Sequence, residues 1–316
     1  MIYPNCNAEI QDNSNFCTHC GATVAAQYAS PRGLDIGKVV GDTFTLYMRH
    51  FGIMCFVGLL VVGIPAAIQI CQVNMLGQVA APVPNENPVQ APFALLSMIV
   101  FPFGFLFILS IVQCYLAIVA ARQCLHIARG GTGFREDMMF PPVMMFLNML
   151  GMTLIVTCLI MALAIPGAIV AGIVVGVVAI AAGGMAGPPS PMMGAVIACL
   201  VVLVILPPIF WLSIRLWLAI FYIVDKNTDC IDALKKSWST TSGNFWALLG
   251  TAILLMCPIF CWMFVCHGLV YAMNGDIAMM QTTPGILLWT AGSVPIALFA
   301  QLGGVLAYFQ LTGQPT

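Results

Sequence analysis

Two charge-free, mostly apolar stretches, Phe51–Val73 and Val143–Ala182, determine the solvent of this chain before any motif is read. Each matches or exceeds the roughly 20 residues that a helix needs to cross the hydrocarbon of a bilayer. Over the 316 residues only 7% are charged while 61% are hydrophobic, against roughly 25% charged in a soluble domain. So few charges cannot cover a water-soluble globule, which excludes a soluble enzyme and points to an all-α integral membrane fold. The net charge of −1 shows no basic excess, so nucleic acid is excluded as a main partner.

Apolar runs separated by turn-forming residues define six spans, at about 51–73, 93–121, 146–182, 192–224, 246–273 and 284–310. Proline interrupts every one: Pro65, Pro102, Pro166, the pair Pro207-Pro208, Pro258 and Pro295. These helices are expected to be kinked, because proline removes one backbone donor and crowds the preceding turn. The third run would measure about 60 Å as one helix, twice the hydrocarbon thickness, and so admits a reading as two spans. Charge decides for one. With six spans, all ten Lys and Arg gather at one side, whereas a seventh span would carry Arg215, Lys226, Lys235 and Lys236 across the membrane. The positive-inside rule therefore predicts six spans with both termini cytoplasmic, in a bacterial inner membrane. Tyr47, Tyr222, Trp246 and Tyr308 at the inner ends, and Tyr271 and Trp289 at the outer, fit aromatic belts.

An internal repeat organises the spans into three hairpins. Val62-Gly63-Ile64-Pro65-Ala66-Ala67-Ile68 parallels Leu163-Ala164-Ile165-Pro166-Gly167-Ala168-Ile169, with a looser counterpart at Leu255-Met256-Cys257-Pro258. In the second helix of each hairpin, Gln113-x-x-Leu116-Ala117-Ile118 parallels Arg215-x-x-Leu218-Ala219-Ile220 and, more weakly, Gln301-x-x-Gly304-Val305. Ala168, Gly172 and Gly176 form a small-residue stripe of the kind that lets helices approach closely.

Cytoplasmic amphipathic helices are expected before the hairpins. In residues 229–246, Ile231, Leu234 and Trp238 share one face and Asp232, Lys235, Lys236 and Ser239 another, so the segment should lie greasy side down in the headgroup plane. Residues 36–49 repeat the design, with Ile36, Val39, Val40, Phe44 and Tyr47 on the apolar side. The pattern Ala-Leu-x-x-Ser-Trp-x-x-Thr-x-Gly-Asn-Phe-Trp, with Asp42-Thr43-Phe44-x-x-Tyr47-x-x-x-Phe51 earlier, resembles the multi-span region of bacterial membrane proteins of uncharacterised function. It is also similar to the membrane domain fused to some glycerophosphodiester phosphodiesterases, whose catalytic barrel this sequence lacks. The resemblance implies a topology and no activity.

The first thirty residues are of another kind: polar, rich in Asn and Cys, and without the basic and apolar regions of a cleaved signal, so the module is expected to be retained. Cys17-Thr18-His19-Cys20-Gly21 is a metal knuckle, in which a two-residue gap lets both thiolates face one ion. Tyr3-Pro4-Asn5-Cys6-Asn7 has the shape of a second knuckle with Tyr3 at the first ligand position. Residues 1–24 thus resemble the short zinc-ribbon domain of many bacterial membrane proteins, whose pattern is Cys-Pro-x-Cys-Gly…Phe-Cys-x-x-Cys-Gly. The resemblance places Cys6, Cys17 and Cys20 on the second, third and fourth ligand positions and implies zinc. Two readings stay open: three thiolates holding zinc with a fourth ligand from water, His19 or the terminal amine, or a metal-free ribbon resting on Ile10, Phe16 and Val24.

The domain plan is a ribbon-like module at 1–24, a linker at 25–34, a membrane domain at 35–312 and a tail at 313–316. Arg215 is the one charge drawn into an apolar span, and intramembrane charge points to function. Because Gln113, Arg215 and Gln301 occupy equivalent repeat positions, they form a candidate intramembrane polar site; the plainer alternative has Arg215 snorkelling to the headgroups. No paired acid and base, nucleophile or phosphate loop is visible, so a non-enzymatic role is expected, with the bilayer and a cytoplasmic protein bound through residues 1–24 as partners. A carrier or channel for a small solute or lipid headgroup around Arg215 is the second reading, and a lipid-acting enzyme the third.

Overall fold

The computed structural model describes residues 33–79, 91–181, 206–274 and 282–314. The cysteine module, and with it Tyr3, Cys6, Cys17 and Cys20, lies outside the described residues. Among the described residues every regular element is helical. In chain order they are α1 (Ile36–Arg49), α2 (Phe51–Gly58), a π turn (Leu59–Gly63), α3 (Ile64–Val79), α4 (Ala91–Ala128), a 3-10 turn (Glu136–Met139) and α5 (Val143–Ala181). Helical residues 206–216 then lead into α6 (Ala219–Lys226), followed by α7 (Cys230–Thr241), α8 (Phe245–Asn274), α9 (Thr283–Ser293) and α10 (Ala297–Thr312).

Five helical stretches are long and apolar enough to cross a membrane: Phe51–Asn74, Phe107–Ala128, Val143–Gly167, Leu206–Lys226 and Phe245–Ala272. A sixth exists if α9 and α10, which meet at 40° across a short break containing Pro295, count as one broken span. The long third run forms one helix that continues through Pro166, and α8 likewise continues through Pro258. Pro65 is accommodated differently. It has no N–H for the carbonyl of Val61, and the preceding turn widens into the π turn Leu59–Gly63.

Burial separates the spans into two classes. Half of the apolar window is buried in both Phe107–Ala128 and Leu206–Lys226, but only 11% in Val143–Gly167 and 22% in Phe245–Ala272. Together with α10, where Leu298, Leu302, Val305, Tyr308 and Phe309 are fully enclosed, the first two make an inner trio. The others surround it and turn Leu154, Phe260 and Phe264 outward, as expected where lipid tails are as apolar as the protein.

The two amphipathic helices fold back along inner helices instead of standing apart from the bundle. Asp35 caps α1 by accepting from the Lys38 N–H at 3.0 Å, and its own N–H donates to Gln310 Oε1 at 3.1 Å. Twelve residues on, Tyr47 meets the ring of Phe299 at 5.6 Å, so α1 runs antiparallel to α10. Asn227, with φ of 49°, reverses the chain after α6 and lets α7 return beside it. Ser237 Oγ there donates to the Arg215 carbonyl at 2.8 Å, and the Tyr222 and Thr240 hydroxyls lie 2.6 Å apart.

By sequence, the bulky apolar faces of α1 and α7 turn toward the membrane, and which side packs on protein is left open. On α7 the enclosed residues are Ala233, Ser237 and Thr241, while Ile231 and Trp238 are exposed; on α1 they are Val39, Thr43 and Tyr47, with Phe44 outside. Small residues whose hydroxyls bond to backbone allow close helix contact, and the bulky apolar face is left for lipid. The aromatic belt does need correction. Trp246 and Tyr271 are exposed, but Tyr47, Tyr222 and Tyr308 are buried in the core. Burial pushes the Tyr47 phenol up to about 12, with the Cys55 and Cys124 thiols adding to the shift.

Close approach also occurs elsewhere than the small-residue stripe suggests. Among the described residues nothing lies within 4 Å of a Cβ at Gly172 or Gly176, whereas a Cβ at Gly58 would strike the Val294 carbonyl oxygen and one at Gly303 the side chain of Leu255. Backbone cannot yield as a side-chain tip can. Gly58→Ala is therefore expected to destabilise the protein by about 1–3 kcal/mol, while Gly52→Ala, with nothing nearby, causes no loss. Thermal unfolding of the two variants in detergent makes the comparison.

Candidate functional site

Arg215 sits where residues 206–216, α7 and the start of α8 converge. Trp211, one turn earlier on its own helix, Trp238 from α7 and Phe245 from α8 surround the guanidinium, with ring centres 5.5, 5.3 and 5.7 Å from its central carbon. Trp211 and Trp238 themselves pack edge to face at 5.1 Å. Nη1 donates to Ser242 Oγ at 2.8 Å, and the buried Nε has no hydrogen-bond partner. The local sequence builds this cup. The Ser242-Gly243-Asn244-Phe245 turn, with Gly243 at φ of 90°, stops α7 and aims Ser242 and Phe245 at the guanidinium. Such cation–π contacts are each worth roughly 0.5–2 kcal/mol, more where water is excluded.

The two glutamines at equivalent repeat positions have other surroundings. Gln301 Nε2 donates to the Ala117 carbonyl at 3.3 Å, joining α10 to α4, and Gln113 is exposed. The contacts of Arg215 are with Ser242 and the three aromatic rings, so the polar groups meeting it come from α7 and its following turn.

A second polar cluster, which sequence reasoning did not single out, centres on Asp225. Its side chain is 4% exposed, yet Arg129 forms an ion pair with it, the Tyr308 hydroxyl donates to it at 3.0 Å and Gln314 Nε2 donates at 3.0 Å. Arg129 also donates to Gln314 Oε1 at 3.3 Å and lies over the Phe309 ring. Three inner helix ends, those of α4, α6 and α10, are thereby tied at one point. Asp225 sits beside Lys226 at the end of its span and Gln314 belongs to the short tail, so neither stands out as an intramembrane charge. The available signal was that Asp225 ends an apolar run containing Tyr222, with Tyr308 at the matching place in the last hairpin.

Further along α4, the loop 130–139 is pinned back onto the helix. Gln123 Nε2 donates to the Gly133 carbonyl at 3.0 Å, Arg122 Nη1 to the Met138 carbonyl at 2.9 Å, and the Tyr115 hydroxyl to the Met139 carbonyl. Outside the spans, Arg135 holds the exposed Asp137 carboxyl below the usual carboxylate range through paired hydrogen bonds of 2.9 and 2.6 Å. Among the described residues, no three His, Cys, Asp or Glu are grouped so as to hold a metal ion.

Removing the Asp225 carboxylate strips the acceptor from three donors, one of them on the fully buried Tyr308. Asp225→Ala is expected to lower stability by roughly 1–3 kcal/mol and Tyr308→Phe by about 1 kcal/mol. The double variant should lose less than the sum, because both changes break one network. Detergent unfolding of the cycle measures it.

Two family models match the chain. One, described as Domain of unknown function (DUF7847), matches residues 51–311, and the other, described as a zinc-ribbon domain, matches residues 4–24. The second range contains Cys6, Cys17 and Cys20 and begins just after Tyr3. None of the curated proteins matches this chain, and none of the solved structures does.

Proposed function

We propose that this chain, which belongs to the family described as Domain of unknown function (DUF7847), is a non-enzymatic membrane anchor that presents a zinc-ribbon module to a cytoplasmic protein. The carrying observation is how the polar groups of the membrane region are employed. Asp225 is occupied by three donors, Arg129 by Asp225 and Gln314, Gln301 and Gln123 by backbone carbonyls, and Arg215 is held among three rings and Ser242. These side chains hold helices together, which suits a scaffold. The resemblance to a membrane domain fused to enzymes in other proteins fits the same role: such a domain carries a module of another kind to the bilayer.

The finer assignments belong to this reading. The hairpin repeats are supported by the way two amphipathic helices each pack on an inner helix, α1 on α10 and α7 on the helix that ends in α6. Zinc is held by Cys6, Cys17 and Cys20 on the strength of the knuckle spacing and the ribbon match. The cationic face looks into the cytoplasm of a bacterial cell, by the positive-inside rule. Lys38 and Lys236 should then be labelled from the same side in intact cells and inverted vesicles, and labelling from opposite sides overturns the topology.

Two measurements test the module. The purified full chain should contain zinc by elemental analysis, and Cys17→Ser should lose most of it without altering the helix content. In-cell crosslinking should capture a protein that is lost both on deletion of residues 1–30 and in the Cys17→Ser variant. A partner retained in both would remove the proposed role of the ribbon.

A further inference from the structure

On the lipid-facing side of the Arg215 cup, the surface opens into a groove of about 320 Å³ lined by Leu159 from α5, Leu212 and Leu216 from the helix 206–216, and Leu234, Lys235 and Trp238 from α7. Its wall is almost wholly apolar, and Lys235 is the one charged residue among those that line it. The volume falls at the small end of ligand sites, enough for one acyl chain and not for a whole lipid. Leu159, Leu212 and Leu216 belong to spans, whereas Leu234, Lys235 and Trp238 belong to the amphipathic helix, so an apolar slot in the hydrocarbon ends at a cation in the headgroup region.

The charges around it are unbalanced. Asp232 lies one turn from both Lys235 and Lys236, yet the ion pairs among the described residues are Arg129–Asp225 and Arg135–Asp137. Among the described residues, neither Lys235 nor Arg215 is met by a carboxylate. Arg215 stands directly behind Trp238, 5.3 Å from its ring, with a buried Nε that has no acceptor. Lys235 and Trp238 are three residues apart on α7 and so share a face. Trp238, about 40% exposed, forms part of the groove wall on one side and of the Arg215 cup on the other.

We propose that this groove is a binding site for an anionic phospholipid: one acyl chain lies against Leu159, Leu212, Leu216 and Leu234, and the phosphate is met by Lys235. Arg215 is a positioning residue, which fixes Trp211 and Trp238 by cation–π contact and adds positive potential behind the headgroup. This site is independent of the ribbon's role, because it uses none of residues 1–30.

The experiment is thermal unfolding of the detergent-purified full chain titrated with dioleoyl phosphatidylglycerol, dioleoyl phosphatidylcholine, dihexanoyl phosphatidylglycerol and inorganic phosphate. The wild type should be stabilised by dioleoyl phosphatidylglycerol at about fivefold lower concentration than by the choline lipid, the preference expected of one interfacial lysine. The short-chain lipid and inorganic phosphate should give no comparable shift. Lys235→Gln should abolish the preference while Lys236→Gln, outside the groove, keeps it, and Leu216→Trp should weaken the response to both dioleoyl lipids. Equal response to both dioleoyl lipids in the wild type overturns the proposal, and so does a preference retained in Lys235→Gln. An equal shift with inorganic phosphate would instead assign a free-anion site and also overturn it. If a variant fails to fold, the four wild-type titrations still decide.

Discussion

A carboxylate withdrawn from water must be met by donors or it will not stay charged, and in this protein Asp225 on α6 is met by three donors from the ends of two other helices. Arg129 closes the end of α4, Tyr308 approaches from within α10, and Gln314 returns from just past the end of α10. Because Arg129 and the Tyr308–Gln314 segment lie far from Asp225 and from each other in sequence, the cluster forms only when the inner helices have their final register. Aromatic packing extends the same joint: the Tyr222 and Tyr308 rings cross at 5.0 Å and Phe221 tilts against Tyr308 at 5.9 Å. The outer helices need no such device. They face a solvent that already accepts apolar side chains, and their places are set by contacts such as Gly58 on Val294 and Gly303 under Leu255.

The same economy shapes α1 and α7. A helix at a membrane boundary faces protein, lipid and water, and these two divide their surfaces accordingly. Ser and Thr hydroxyls on the protein side are satisfied locally, as when Thr43 donates to the Val39 carbonyl at 2.6 Å, or across to the neighbour, as when Ser237 donates to the Arg215 carbonyl. The bulky apolar residues are left exposed at the flanks, and one of them, Trp238, contributes to the cup around Arg215. That arginine combines both halves of the sequence reading: a charge near the end of a span, held by aromatic rings instead of a countercharge.

Helix class and a count of five to six spans were legible because they depend on the local density of apolar residues, which a linear sequence displays directly. Val143–Ala181 as one helix followed from the distribution of charge, a global property that is also linear. The buried stripes were not legible, since hydropathy ranks Ile231 and Trp238 above Ala233 and Ser237 and says nothing about which medium each face meets. Asp225 escaped notice because its neighbour Lys226 made it resemble an ordinary headgroup charge, and its partners lie 83 to 96 residues away. Arg215 was conspicuous for the right reason. Its aromatic partners were also in plain view in the Trp238 to Phe245 segment, but only the return of α7 brings them to it.

The pairing of α1 with α10 has a bearing on how such a chain is made. α1 is the first of the described helices to leave the ribosome, and the surface that receives Val39, Thr43 and Tyr47 is supplied in part by the last. While the intervening spans are made, this small helix must therefore wait at the membrane surface on its greasy flank, and it docks only once α10 has been synthesised. A chain that stopped short of α10 would leave α1 undocked, so this helix carries a structural mark of whether synthesis has reached the helix that receives it.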